Sequence, residues 1–93
     1  MDIFQAIADE TRRTILDELS ARNGQTLFEI CSVLAGRHGI GLTRQAISHH
    51  LAVLEAAGLL ITEKRGRHKF HFIDTGPLAQ IEQRWRTPSE ENP

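Results

Sequence analysis

The sequence predicts a mainly α-helical domain that carries a small β-hairpin near its C-terminal end. Apolar residues recur at helical spacing in five segments, and a residue able to cap a helix precedes four of them. Two short runs rich in β-forming residues flank the turn at 65–67. With 93 residues, 40% of them hydrophobic and 25% charged, the chain has the composition of one globular domain. We expect this domain to span residues 1–86 and a polar, disordered tail to cover 87–93.

The first half of the chain is predicted to form three helices. Asp2 is the expected cap of a short first helix, and Asp9 is the expected cap of a second. Thr26 begins the third helix, and Glu29 follows at the spacing of a capping box. Three glycines between residues 36 and 41 predict that the third helix breaks there and that an extended loop follows.

The fourth helix is the most informative segment of the chain. We predict it over 43–57, with Thr43 as its N-cap and Gly58 just beyond its end. Its apolar residues Ile47, Leu51 and Leu54 fall on one side of the helix. The opposite side carries polar groups that suit the base edges of a DNA major groove, namely Arg44, Gln45, Ser48 and His49. An ordinary solvated helix surface is the alternative interpretation.

A β-hairpin is predicted over residues 60–73. Gly66 is the expected turn residue, because it accepts backbone angles that other residues avoid. Phe70 and Phe72 lie two positions apart, so they share one face of their strand, and we expect that face to point to the core. Three helices followed by such a hairpin make a winged helix-turn-helix, in which the hairpin is the wing.

The last helix is predicted to begin near Pro77, since proline is favoured in the first turn of a helix. Apolar side chains of the first and last helices exceed what so small a domain can cover alone, and an exposed apolar patch usually marks an interface. We therefore predict a homodimer, with Trp85 packed on its own domain as the alternative. The predicted interface consists of Ile3, Phe4, Ile7, Leu78, Ile81 and Trp85.

Positive charge is concentrated around the fourth helix and the hairpin. The whole chain has a formal net charge of −1. Residues 42–71, however, contain five Lys and Arg against two Glu, which gives this segment a net charge of +3. A localised excess of positive charge is the electrostatic pattern expected of a DNA-binding surface. Double-stranded DNA is the partner that this pattern predicts.

Four ordered motifs resemble those of the ArsR family of bacterial repressors. They lie at residues 8–16 (ADETRRTIL), 44–51 (RQAISHHL), 54–59 (LEAAGL) and 66–72 (GRHKFHF). The resemblance covers roughly residues 3–86, nearly the whole predicted domain. It implies a homodimeric repressor that places two reading helices in successive major grooves of a palindromic operator. It also implies that the first and last helices form the dimer interface.

The resemblance also assigns roles to individual residues. Arg44, Gln45, Ser48 and His49 would face the groove, in agreement with the helical positions described above. His50 would lie near the DNA backbone, although it falls beside the apolar side of the helix, so packing between helices is the alternative. Arg65, Arg67 and Lys69 of the wing would contact phosphates or the minor groove. A solvated hairpin tip is the alternative for these three residues.

One departure from the family pattern concerns the connection between the third and fourth helices. This connection is commonly a tight turn in the family, whereas the chain has additional residues here. The simpler interpretation is a longer turn with no role in DNA binding. We also consider the hypothesis that Arg37 and His38 reach the DNA backbone and enlarge the contact area.

Several other functions receive no support from the sequence. Cys31 is the only cysteine, and we cannot assemble the three or four converging ligands of a zinc site from the histidines. We therefore predict no metal, no cofactor and no enzymatic activity. No apolar segment is long enough to cross a bilayer, so we expect a cytoplasmic protein. The alternatives are a winged-helix module that binds proteins, or a metal- or redox-sensing member of the same family.

Overall fold

A computed structural model describes residues 1–86; the predicted tail over 87–93 lies outside the described residues. The chain forms five α-helices and three strands in the described part, with a short 3₁₀ turn before the last helix. In chain order they are α1 (Ile3–Ala6), α2 (Glu10–Ala21), β1 (Gln25–Thr26), α3 (Leu27–His38), α4 (Arg44–Ala56), β2 (Leu60–Arg65), β3 (His68–Ile73), the 3₁₀ turn (Gly76–Leu78) and α5 (Ala79–Arg84). This is the predicted winged helix-turn-helix, with β2 and β3 as the wing.

The first four helices begin where their capping residues predict. In each case the side-chain oxygen of the cap accepts a hydrogen bond from a backbone N–H in the first turn, which satisfies one of the otherwise unpaired donors. Glu29 also accepts from the backbone N–H of Thr26, so the predicted capping box of α3 is complete. The four caps are Asp2, Asp9, Thr26 and Thr43.

The core lies between the helices and the inner side of the wing. Helix α4 is its central element, because one side of α4 packs against α2, α3 and β2. The largest fully buried side chains come from α2, α3, α4 and the position directly before β2. They are Ile15, Leu19, Ile30, Leu34, Ile47, Leu54 and Leu59. The other side of α4 carries the exposed residues Arg44, Gln45, Ser48 and His49.

The sheet has three strands rather than the two predicted, in the order β1-β3-β2. The short β1 pairs with β3, so that Gln25 lies opposite His71. His71 is buried, and its Nδ1 donates to the backbone carbonyl of Gln25 over 2.8 Å. The prediction that Phe70 and Phe72 form the core face of β3 is wrong, since both are only half-buried and His71 occupies the inner position. A satisfied ring nitrogen allows a histidine to take this place.

Helix α3 also departs from the prediction. It runs through Gly36 to His38 and ends at Gly39, which adopts a left-handed φ of 64°. The backbone N–H of Ile40 then bonds to the carbonyl of Leu34 over 2.9 Å and closes the end of the helix. Gly36 lies inside α3, because an isolated glycine is tolerated within a helix. The loop before α4 is therefore shorter than the break predicted over 36–41.

Arg37 and His38 consequently belong to the last turn of α3 and contact α2. Glu18 of α2 is 8% exposed and accepts from His38 Nε2 over 2.6 Å and from Arg37 Nη1 over 3.2 Å. The hydrogen bond from His38 is the main reason that the pKa of Glu18 lies below its ordinary value; burial opposes this effect, and the charge of Arg37 reinforces it. Both side chains thus join α3 to α2, and this pairing does not support the hypothesis that they reach the DNA backbone.

Replacing Glu18 with glutamine is expected to lower the free energy of unfolding by about 1–3 kcal/mol at neutral pH, because charged hydrogen bonds to a buried carboxylate are lost. A lowered folded-state pKa contributes stability above the ordinary glutamate pKa, and that stability disappears as the pH falls through the folded-state pKa. The difference between the two proteins should therefore shrink with acidification. Urea unfolding from pH 7 down to about pH 2 measures it.

Glu63→Gln is the matched control for this experiment. Glu63 also pairs with a cation, Arg65, over 2.9 Å, but both side chains are exposed. Exposed ion pairs contribute little to stability, so this variant should unfold like the wild type. Equal losses in the two variants, or a Glu18→Gln loss that does not change with pH, would contradict the assigned role of Glu18.

Candidate nucleic-acid interface

The outer face of α4 carries the four side chains that the sequence predicts for base reading. Arg44, Gln45, Ser48 and His49 are all exposed, and Ile47, Leu51 and Leu54 are buried on the other side. The hydroxyl of Thr43 accepts from the backbone N–H of Ala46 over 3.1 Å, which fixes the first turn of the helix. Most of the polar face therefore projects from a rigid, well-packed element, as recognition of a groove requires.

These four side chains surround one shallow depression on the protein surface. Ala52 of α4 and Leu27 of α3 contribute its apolar parts. A major groove presents both hydrogen-bonding edges and the methyl groups of thymine, so a face that mixes polar and small apolar groups suits it. We refer to Arg44, Gln45, Ser48, His49 and Ala52 as the reading face.

The wing places additional positive charge beside the reading face. Its two-residue turn is Gly66-Arg67, and Gly66 has a left-handed φ of 61°, as the sequence predicts for the turn glycine. Arg67 and Lys69 are exposed, and together with Arg44 they line a second depression, between the wing, the start of α3 and the start of α4. Within residues 1–86 none of these three cations has an acidic partner at ion-pair distance. Their charge is available to an external anion.

Arg65 differs from the other wing cations. Its Nε donates to Glu63 over 2.9 Å, and its guanidinium lies 5.4 Å from the centre of the Phe70 ring. The hydrogen bond from Arg65 also lowers the pKa of Glu63, so this carboxylate stays charged beside the arginine. Of the three wing residues predicted to contact DNA, Arg67 and Lys69 therefore have an unpaired charge within residues 1–86. The charge of Arg65 is partly neutralised by Glu63.

His50 lies on the flank of α4 that faces α2. It is half-buried, and its Nδ1 is 3.1 Å from Nη1 of Arg12. Burial lowers the pKa of His50, the Asp9 charge opposes this effect, and the charges of Arg12 and His49 reinforce it. Arg12 belongs to the first of the four motifs, yet sequence reasoning assigned it no role. The contact joins residues 38 positions apart, and no local pattern reveals such a pair.

A different surface forms where the two ends of the domain meet. The rings of Phe4 and Trp85 pack edge to face with their centres 5.9 Å apart, and the Arg84 guanidinium lies 4.9 Å from the Phe4 ring. Trp85 remains 63% exposed. Ile7, Leu78 and Ile81 are half-buried. The prediction that Ile3 is left uncovered is wrong, because Ile3 is 3% exposed and belongs to the core of the domain itself.

Other kinds of site find little support in the described part of the chain. No group of three potential ligands among residues 1–86 is arranged to hold a metal ion. Cys31 is half-buried, and burial raises the pKa of its thiol, which disfavours the reactive thiolate. Among the described residues, no helix has both the length and the apolar character needed to span a membrane.

Comparison with known proteins identifies relatives of one kind. A helix-turn-helix domain family matches residues 7–63. An uncharacterized HTH-type transcriptional regulator of Bacillus subtilis, YuzN, is 43% identical over 89% of this chain and 90% of its own length. The transcriptional repressor SdpR of the same organism is 30% identical over 83% of this chain and 78% of its own. The crystal structure of an ArsR family transcriptional regulator superimposes with a TM-score of 0.74 and 30% identity, covering 96% of this chain and 81% of the other.

Proposed function

Because the chain belongs to the ArsR family of DNA-binding transcriptional regulators, we propose that it represses transcription as a homodimer bound to a palindromic operator. Two copies of α4 would enter successive major grooves, as dimeric helix-turn-helix proteins do. The observation that carries this proposal is the reading face, with its own Arg44, beside the wing cations Arg67 and Lys69; within residues 1–86 none of these three cations has an acidic partner. A surface that docks proteins would instead be enriched in aromatic residues and methionine.

Base reading is assigned to the exposed polar residues of α4. Arg44 would pair with a guanine edge and Gln45 with an adenine edge, since both side chains match these bases through two hydrogen bonds. Ser48 and His49 would contact bases or the adjoining phosphates. This arrangement uses the first two turns of the helix, which lie closest to its capped and positively polarised N-terminal end.

The wing would add affinity that does not depend on sequence. Arg67 and Lys69 would bind phosphates or enter the minor groove, which releases counterions and makes binding sensitive to salt. Arg65 would contribute less, because Glu63 already holds its guanidinium. His50 would lie near the DNA backbone, next to His49 of the reading face.

Dimerisation is assigned to the surface that α1 and α5 share. Helix α5 has only six residues and none of them is buried, so packing within one protomer does little to stabilise it. A second copy would cover Phe4, Ile81 and Trp85. Repression follows if the bound dimer occupies a promoter, and such a regulator would work by binding alone, without catalysis, in the cytoplasm.

Replacing Arg44 with alanine is expected to weaken operator binding by about 1–3 kcal/mol, or roughly 5- to 150-fold, because a base-specific contact is lost. Binding to random DNA should change much less. Fluorescence anisotropy with the DNA upstream of the protein's own gene, measured against random DNA of equal length, separates the two effects. Footprinting on the same DNA tests the palindrome.

Arg67→Ala is the comparison variant for Arg44→Ala. It should weaken binding to all sequences to a similar extent and reduce the slope of log K against log salt by about one. If Arg44→Ala lost affinity equally for the upstream and random DNA, a base-reading role for Arg44 would be excluded. If the wild-type protein bound neither DNA more tightly than a bovine albumin control, the proposed function itself would fail.

A further inference from the structure

We propose that Arg12, although it lies outside the reading face, is a positioning residue for DNA binding that holds His50 as a phosphate donor. In this arrangement His50 carries its hydrogen on Nε2 and presents that N–H to a phosphate of the DNA backbone. The inference rests on the proposed function, since it assigns a further contact of the same surface. Three features of the described residues support it.

The first feature is how firmly Arg12 is held. Its Nε donates to the carbonyl of Ala6 over 2.7 Å, and its Nη2 donates to the carbonyl of Gln5 over 3.2 Å. Its backbone N–H donates to the cap residue Asp9 over 3.0 Å. The guanidinium is therefore fixed by the C-terminal end of α1 and the first turn of α2. Only Nη1 extends to α4, where it meets His50.

The second feature is the chemistry of that contact. A guanidinium has donors and no acceptor, and it stays charged at all ordinary pH values. Nδ1 of His50 must therefore accept the hydrogen bond from Arg12 with its lone pair. A neutral imidazole that accepts at Nδ1 carries its hydrogen on Nε2. The position of Arg12 thus selects one of the two neutral forms of His50.

The third feature is the surroundings of the second ring nitrogen. No group within residues 1–86 accepts a hydrogen bond from Nε2 of His50, and the ring is partly exposed. His50 follows His49 of the reading face directly along α4. Histidine Nε2–H and a phosphate oxygen form a suitable donor and acceptor pair. An external acceptor at this edge of the interface would complete the bonding of His50.

The charges around His50 define a pH signature for this arrangement. The titratable and charged groups that act on it are Asp9 and Arg12 from α2 and His49 from α4. In a variant without Arg12, burial and the His49 charge still lower the pKa of His50, but the Arg12 charge no longer does, and the Asp9 carboxylate continues to favour protonation. A protonated imidazole carries hydrogens on both nitrogens, so acidification would restore the Nε2–H donor in a variant without Arg12.

The test compares Arg12→Gln with Arg13→Gln. Arg13 is a matched control, because its Nη1 also donates to a backbone carbonyl at the end of α1, that of the C-cap Ile7 over 2.7 Å, yet within residues 1–86 it makes no hydrogen bond to α4. Thermal unfolding shows whether both variants remain folded. At about pH 8 the Arg12→Gln protein should bind operator and random DNA about tenfold more weakly than wild type, whereas Arg13→Gln should stay within about twofold.

Two further measurements separate positioning from a general structural effect. The ratio of dissociation constants, Arg12→Gln over wild type, should fall towards one as His50 becomes protonated between about pH 8 and pH 5. Two-bond proton–nitrogen NMR spectra of the wild type should show His50 with hydrogen on Nε2 and a bare Nδ1. His50→Gln, whose amide can offer an N–H, should retain more affinity than His50→Ala.

Several outcomes would overturn the inference. They are a wild-type His50 with hydrogen on Nδ1, an Arg12→Gln protein with wild-type affinity, or a loss that is the same at every pH. If the wild-type protein binds DNA and any of these results appears, the proposed function stands and only the role of Arg12 falls. If the wild type fails to bind DNA at all, both proposals fail.

Discussion

Replacing Leu54 with alanine is expected to lower the free energy of unfolding by about 2–5 kcal/mol. Leu54 is fully buried on the inner side of α4, and its removal leaves a cavity where α4 packs against the rest of the core. A domain of 93 residues has a total stability of only about 5–14 kcal/mol, so the loss is a large fraction of it. Urea unfolding followed by circular dichroism measures the change.

Leu42→Ala is the matched control, since it removes the same atoms from a side chain that is 42% exposed. It should change the free energy of unfolding by less than about 1 kcal/mol. Operator binding should weaken in Leu54→Ala when the temperature approaches its unfolding midpoint, because the reading face depends on the packing of α4. If both variants lost stability equally, the core position of α4 would be wrong.

The helix pattern was predictable because its determinants are local. Thr26 and Glu29 satisfy each other's backbone donors within one turn, so four residues suffice to locate the start of α3. The start of α4 is also marked locally, by the hydrogen bond from the backbone N–H of Ala46 to the hydroxyl of Thr43. The polar part of the reading face follows from helical spacing alone, since burial of Ile47 and Leu51 on one side of α4 leaves the opposite side exposed. That side carries Arg44, Gln45, Ser48 and His49.

The features that escaped prediction depend on contacts between distant parts of the chain. Strand β1 has only two residues and exists because β3 pairs with it, so propensity cannot reveal it. His71 is buried because the carbonyl of Gln25 satisfies its ring. Glu18 draws His38 towards α2 across a sequence separation of 20 residues. From sequence alone, a buried histidine or acid of this kind is predicted to be a surface residue, because its partner lies far away in the chain.

The same limit applies to the candidate site. Helical spacing indicates that His50 falls between the polar and apolar sides of α4, and it therefore left two interpretations open. The contact with Arg12 makes packing between helices compatible with a DNA contact. Nδ1 of His50 bonds to Arg12 of α2, and Nε2 has no partner within residues 1–86. A residue at the boundary between the polar and apolar sides of a helix can contact both a neighbouring helix and an external ligand. Only the tertiary structure shows which helix residue it contacts, here Arg12.

Replacing Trp85 with glutamate is expected to have the largest effect on DNA binding, because it acts on both half-sites together. Trp85 is 63% exposed and packs on Phe4, so in the proposed dimer it lies where the two protomers meet. Buried tryptophans are frequent energetic centres of interfaces, and a charge placed there would need desolvation. Sedimentation equilibrium should show a monomer at micromolar concentration, where the wild type is a dimer.

The loss of DNA affinity should exceed the loss expected from any single DNA contact. In a dimer the second half-site binds at a high effective concentration, which strengthens overall binding by about 10²- to 10⁴-fold. A monomeric Trp85→Glu protein would lose most of that factor on the full operator and little on a single half-site. Phe28→Glu is the control for assembly, since Phe28 is a comparably exposed aromatic, at 69%, on α3. It should remain dimeric, and a Trp85→Glu protein that also did so would place the interface elsewhere.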